Sequence, residues 1–147
     1  MAVNQTNING DYLTIAAPVA ANSGVGPISG DPLVFGRGTS PSFGLACVAQ
    51  TSYTPPTGTP TGNISVDLTG VWNLSVVAKA SVGGGGVAIA IGDKVYAEGG
   101  TYDVTTGCLY GFTLTTNATS GVYFGNALDA IASGQTAIIR VRLKKAG

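Results

Sequence analysis

Four consecutive glycines, Gly83 to Gly86, with Asp93 and Lys94 shortly after them, are the part of this sequence whose residue types come nearest to phosphate chemistry. Amides stripped of side chains can converge on an anion, and a nearby lysine can neutralise it. A nucleotide-binding loop needs Gly-x-x-x-x-Gly-Lys-Ser/Thr. Here the glycines are followed by Val-Ala-Ile-Ala-Ile-Gly-Asp-Lys, which displaces Lys94 and leaves no hydroxyl residue behind it. The segment Gly24-Val25-Gly26-Pro27-Ile28-Ser29-Gly30 fails the dinucleotide fingerprint, because Ser29 stands where the third glycine belongs and Pro27 interrupts the turn. Neither segment opens a helix. The expectation is a flexible loop or hairpin connection, with the glycines as slack before a strand.

Other chemistry is equally thin. The chain has no histidine, which removes Ser-His and Cys-His nucleophile pairs and the usual zinc sites. Its carboxylates, Asp11, Asp31, Asp67, Asp93, Glu98, Asp103 and Asp129, show neither the spacing of a paired acid and base nor that of a calcium loop. Cys47 and Cys108 occur in unrelated contexts and form no metal or redox motif. They read as small buried hydrophobes, with a disulfide as the alternative. No catalytic residue, cofactor or metal is expected, and the chain is not expected to be an enzyme. Asn-x-Ser/Thr sequons at Asn4, Asn63, Asn73 and Asn117 read as chance in a Thr- and Asn-rich chain.

Bulk composition narrows the partners. With 147 residues the chain suits one domain, able to bury roughly two-thirds of its unfolded surface. Only 10% of residues are charged, and seven basic and seven acidic groups cancel. That leaves no electrostatic footprint for nucleic acid. Near-zero net charge also lacks the usual solubility device, which points to a protein packed against neighbours. No apolar window reaches the ~18 residues of a membrane helix. The first residues lack the basic-then-apolar profile of a secretory signal, so the expectation is a protein made in the cytoplasm and not exported.

The elements that would carry any surface are short strands. "NISVDLTG" alternates Ile64, Val66 and Leu68 against Asn63, Ser65 and Asp67. "VWNLSVVA" does so with Trp72, Leu74 and Val76 inward, and Gly70 between the two runs suggests a bulge or bend. Trp72 reads as core filler whose indole N–H finds a partner. "TAIIRVRLKK" places Ile139, Val141 and Leu143 in the core and Arg140 and Arg142 in solvent. Its basic end could meet an acidic partner. Further strands are expected in 31–36, 43–49, 94–97, 108–116 and 121–128. Residues 126–134 fit a short helix or a strand followed by a turn. About eight short strands and no long helix predict an all-β single-domain barrel or jelly-roll-like sandwich, spanning 31–147. Residues 1–30 read as an extended N-terminal arm, and the Thr/Pro-rich residues 50–62 as an exposed loop.

The succession of these pieces resembles a family of small capsid decoration, or cement, proteins of tailed bacteriophages. The resemblance rests on "NGDYLTIAAPVAANSGV", "SGDPLVFG" (29–36), "FGLACVA", Gly70-Val71-Trp72, Gly92-Asp93-Lys94-Val95-Tyr96, and a closing pattern of Gly125, Ala127, Leu128, Gly134, Val141, Arg142 and Leu143. Two departures are Trp72, where phenylalanine or tyrosine is usual, and a longer 50–62 loop.

The resemblance implies a structural virion protein on the outer surface of the capsid, clamping neighbouring major-capsid subunits and stabilising the DNA-filled head. It implies the major capsid protein as partner, together with the protein itself as a homodimer or homotrimer, without nucleic acid or membrane. Contacts are expected first in the arm, at Ile8, Tyr12, Leu13 and Ile15, which can insert into a neighbour or extend a sheet edge. The second candidates are Tyr53, Pro55 and Pro56 of the loop. The alternative reading is a carbohydrate- or host-surface-binding β module displayed on the virion.

Overall fold

The computed structural model describes residues 12–16, 29–35, 44–50, 63–104 and 106–144. Over these residues it is all β, with eleven strands and no helix. They are β1 (Tyr12–Ala16), β2 (Pro32–Phe35), β3 (Leu45–Ala49), β4 (Asn63–Asp67), β5 (Val71–Val77), β6 (Lys94–Glu98), β7 (Thr101–Asp103), β8 (Cys108–Tyr110), β9 (Thr113–Thr115), β10 (Val122–Ala127) and β11 (Thr136–Leu143).

Six strands form a sheet in the order β1-β4-β3-β2-β8-β7, and the other five close into a barrel, β10-β11-β5-β9-β6. Pairing is antiparallel except between β5 and β9, where Val76 lies opposite Leu114 in a parallel contact that completes the barrel.

The alternation of the longest strands has a direct cause. On β11, Ile139, Val141 and Leu143 are buried, while Thr136, Ile138, Arg140 and Arg142 are exposed. Leu74 of β5 pairs with Ile139, and Trp72 with Val141, so the inward sets of the two strands coincide. Around them Val76, Val95, Ala97, Leu114 and the fully buried Phe124 fill one core. Phe112 tilts against Phe124 with ring centroids 5.7 Å apart.

Val34, Ala46 and Val48 join that same core from one face of the six-stranded sheet. Leu33, Cys47, Ala49, Ile64, Val66 and Cys108 form a second core on its other face. The centre of this sheet is therefore apolar on both sides, which is why β3 reads Leu-Ala-Cys-Val-Ala with no polar alternation.

Three connections carry the chain between sheet and barrel, and each turns on glycine. Gly70 (φ +100°) lies between β4 and β5, Gly99 and Gly100 (φ +71° and +81°) between β6 and β7, and Gly111 (φ +65°) between β8 and β9. Residues with a Cβ rarely adopt this left-handed region. At Gly100 a Cβ would also fall 2.6 Å from the Tyr110 carbonyl oxygen.

Several sequence expectations change in detail. The run 108–116 is two strands, not one, because Gly111 sends β8 to the sheet and β9 to the barrel. β7, three residues long, was not expected at all. Residues 126–134 adopt the strand-and-turn alternative: β10 ends at Ala127, Ile131 bridges Ile89, and Gly134 turns with φ +78°. Residues 12–16 of the expected arm form β1.

Candidate functional site

Of the residues expected to make contacts, Tyr12, Leu13 and Ile15 lie on β1, opposite Asp67, Val66 and Ile64 of β4. β1 is one edge of the six-stranded sheet and β7 the other. Ile8, Tyr53, Pro55 and Pro56 lie outside the described residues.

The glycine-rich stretch is not slack. Ala80 N–H donates to Gly85 O (3.0 Å), Gly84 N–H donates to Ser81 O (3.0 Å), and Lys79 bridges Gly86, which makes a closed hairpin. Gly86 is pressed against the turn at 133–134, where a Cβ would come within 2.6 Å of Ser133 Oγ and 2.7 Å of the Gly134 nitrogen. The loop does meet an anion, but that anion belongs to the chain. Val82 N–H donates to Glu98 Oε2 at 2.9 Å.

Glu98 sits at the end of β6 and gathers three segments. Its carboxylate also accepts from Thr115 Oγ1 (2.9 Å) and Asn117 Nδ2 (2.9 Å). Asn117 in turn donates to Ser120 Oγ and accepts from the amides of Thr119 and Ser120. Each group has a partner inside the network, so the arrangement stabilises a local structure. Nothing in it is placed to take a substrate.

The outer wall of the barrel carries a different constellation. Lys94 on β6 pairs with Asn126 on β10, Asn126 with Arg142 on β11, and Arg142 with Val71 on β5. These four side chains form one row across four strands. Tyr96 pairs with Tyr123 one step along, with ring centroids 5.8 Å apart.

A bulge between Tyr123 and Gly125 brings Tyr123 and Asn126 to the same face, and the Tyr123 hydroxyl donates to Asn126 Oδ1 at 2.5 Å. Asn126 is itself anchored through Nδ2 to Gly92 O (2.8 Å). The Tyr123 ring is thus fixed, and Lys94 Nζ and Lys144 Nζ lie 5.4 Å and 5.8 Å from its centroid. Burial lowers the Lys144 ammonium from its ordinary pKa; burial first, and then Tyr96, raises the Tyr123 phenol. Among the described residues the only ion pair is Arg140 with Asp129, at 2.6 Å.

Sequence reasoning placed Lys94 and Arg142 on strands but did not bring them to one face. The missing signal was register. Asp93, expected at the turn, accepts Ala90 N–H through Oδ2 at 2.8 Å, and Val95 points inward with no exposed surface. Trp72, expected as core filler, is only half-buried and packs against the core from its edge, while its indole N–H finds a partner as expected, donating to Thr69 O at 3.0 Å.

Both cysteines are free and fully buried. β2 separates β3 from β8, so Cys47 and Cys108 are two strand spacings apart, roughly 10 Å. A disulfide spans at most about 7 Å between Cα atoms. Burial pushes both thiols up, that of Cys108 to about 12, with the nearby Asp103 adding a smaller effect there. They are packing groups, not nucleophiles.

No curated protein and no solved structure gives a significant match to the chain. Residues 8–143, a span that takes in β2 to β11 and also β1, match the family model described as phage cement protein. The chain therefore belongs to the phage cement proteins, a family whose role is structural and associated with the capsid.

Proposed function

We propose that the protein binds the outer surface of the phage head and clamps neighbouring major-capsid subunits, stabilising the DNA-filled shell, as a homodimer or homotrimer. The observation that carries this reading is the family match, which runs through both the sheet and the barrel and not through one motif. A clamp needs no chemistry beyond adhesion. Modest contacts to several subunits multiply through effective concentration.

The arm supplies a physical route to such contacts. Among the described residues β1 pairs with β4 alone, and an open sheet edge of this kind is a template for a strand from a neighbour. Ile8, Tyr12, Leu13 and Ile15 are the proposed arm contacts, with Tyr53, Pro55 and Pro56 of the 50–62 loop as the second set.

The test adds purified protein to heads assembled without it, pellets them, and measures the temperature at which DNA is released. Co-sedimentation and a higher release temperature are expected. Removing residues 1–11 leaves β1 in place and is expected to weaken both effects; removal of 1–16 also strips the sheet edge and is expected to weaken them further. Unchanged occupancy and heat resistance in both truncations would eliminate the arm from the mechanism.

A further inference from the structure

The outer wall of the barrel gathers three cations, none of them ion-paired among the described residues. Lys94, Arg142 and Lys144 have no carboxylate within ion-pair distance among the described residues; both lysines lie near the same Tyr123 ring. In a chain with only seven basic groups, offset by seven acidic ones, this clustering is not a consequence of general basicity.

Lys94 and Lys144 approach the Tyr123 ring from the two strands that flank β10, so positive charge gathers around one ring. Lys144 is half-buried, so it has also given up part of its hydration. A tyrosine face compensates each cation only weakly at exposed sites. An incoming carboxylate would neutralise an ammonium group and replace its lost solvation at the same time.

The surroundings select the kind of anion. Val71, half exposed, ends the row at the β5 side, and Tyr96 and Tyr123 supply rigid apolar area beside the charges. Tyrosine and arginine next to apolar surface are the usual anchors of protein interfaces. The face is bordered by Asp93 next to Lys94 and by the Asp129–Arg140 pair two residues from Arg142. Asp93 and the neutral Asp129–Arg140 pair break the run of positive charge that a continuous polyanion would follow, whereas they leave room for separate acidic side chains.

Building on the capsid-binding reading above, we propose that the Lys94–Tyr123–Lys144–Arg142 face of the barrel docks on a carboxylate-bearing surface of the capsid shell. Acidic side chains meet the lysines beside the Tyr123 ring, and another meets Arg142. This contact lies on the barrel, whereas β1 belongs to the six-stranded sheet, so one copy can hold two surfaces at once.

The test compares three proteins for sedimentation with heads assembled without this chain, at low and at high salt: wild type, Lys94→Gln/Arg142→Gln, and Lys94→Gln/Arg142→Gln/Lys144→Gln. The double variant leaves the half-buried Lys144 untouched and keeps the test valid if the triple variant unfolds; melting curves identify folded proteins.

Wild-type binding is expected to weaken as salt rises. Each folded variant is expected to bind at least about tenfold more weakly at low salt, with a flatter salt dependence. Folded variants that sediment like wild type would overturn the docking face while leaving capsid binding intact. Wild type that fails to sediment would overturn both readings. Retention of double-stranded DNA by wild type, lost in the variants, with head binding unchanged between them, would assign the face to nucleic acid and likewise overturn the proposal.

Discussion

Thr115 has no exposed surface, and its hydroxyl donates to Glu98 Oε2 at 2.9 Å while accepting the Asn117 amide at 3.1 Å. Through that one buried hydroxyl and one carboxylate, the glycine hairpin, β6, β9 and the 117–120 turn are tied together. A glycine-rich segment loses more chain entropy on ordering than any other, so such fixed partners decide whether it holds one shape.

Replacing Glu98 by Ala leaves Val82 N–H, Thr115 Oγ1 and Asn117 Nδ2 without their acceptor. The expected loss is about 1–3 kcal/mol in urea unfolding, because Thr115 cannot reach water. Hydrogen exchange at the Val82 amide should accelerate as well. An unchanged Val82 rate would show that the hairpin holds its shape without Glu98.

The glycines are predicted to differ sharply in tolerance. At Gly86 a methyl group would press on Ser133 Oγ and the Gly134 nitrogen, so Gly86→Ala should cost about 1–3 kcal/mol. At Gly85 nothing lies within 4 Å of the new Cβ and the backbone is not left-handed, so Gly85→Ala should fall within about 0.5 kcal/mol of wild type. Thermal melts of the two variants side by side provide the check.

Both thiols have pKa values raised by burial above the ordinary value of 9.0. The unfolded chain ionises first, so the stability linked to these groups is complete below about pH 9 and is lost as pH rises toward the folded values. Stability measured from pH 8 to 11 should fall less steeply in Cys47→Ala/Cys108→Ala than in wild type, once each is referred to its own value at pH 8. A thiol reagent at pH 8 should label neither cysteine in native buffer and both in denaturant. A reductant should leave the melting temperature unchanged.

Arg140 holds the Asp129 carboxyl at about 2, chiefly through side-chain and then backbone hydrogen bonds, against an ordinary 3.8. A lowered folded pKa contributes stability above the unfolded value, and that contribution disappears as pH falls from 3.8 through about 2. The pair is exposed and screened, so its effect on global stability is small. Carboxyl NMR is the direct measurement: the Asp129 midpoint should move up toward 3.8 in Arg140→Gln.

Strands with one wet and one dry face were legible in the sequence. β4, β5 and β11 show it, because Ile64, Val66, Leu74, Val76, Ile139 and Val141 alternate with polar residues. What could not be read was membership. Cys108 to Thr116 is one β-favouring run, yet Gly111 divides it between two sheets, and barrel closure depends on Val76 meeting Leu114 from distant parts of the chain.

The outer-wall cluster was hidden for the same reason. Lys94, Tyr123 and Lys144 are far apart in sequence, and only strand register plus the bulge after Tyr123 places them around one ring. The hairpin alternative for the glycines is the one adopted, but their fixed packing was not legible, because the contacts of Gly86 with the 133–134 turn are long-range.

The three glycine-turned crossings between sheet and barrel carry a mechanical meaning. Two bodies joined by a single linker can swing about it, but the chain here passes between them after β4, after β6 and again after β8. A pull applied to the barrel wall is shared by three covalent threads and resisted by the Val34, Ala46 and Val48 side chains that belong to both. Under outward load the molecule should behave as a rivet and not as a hinge.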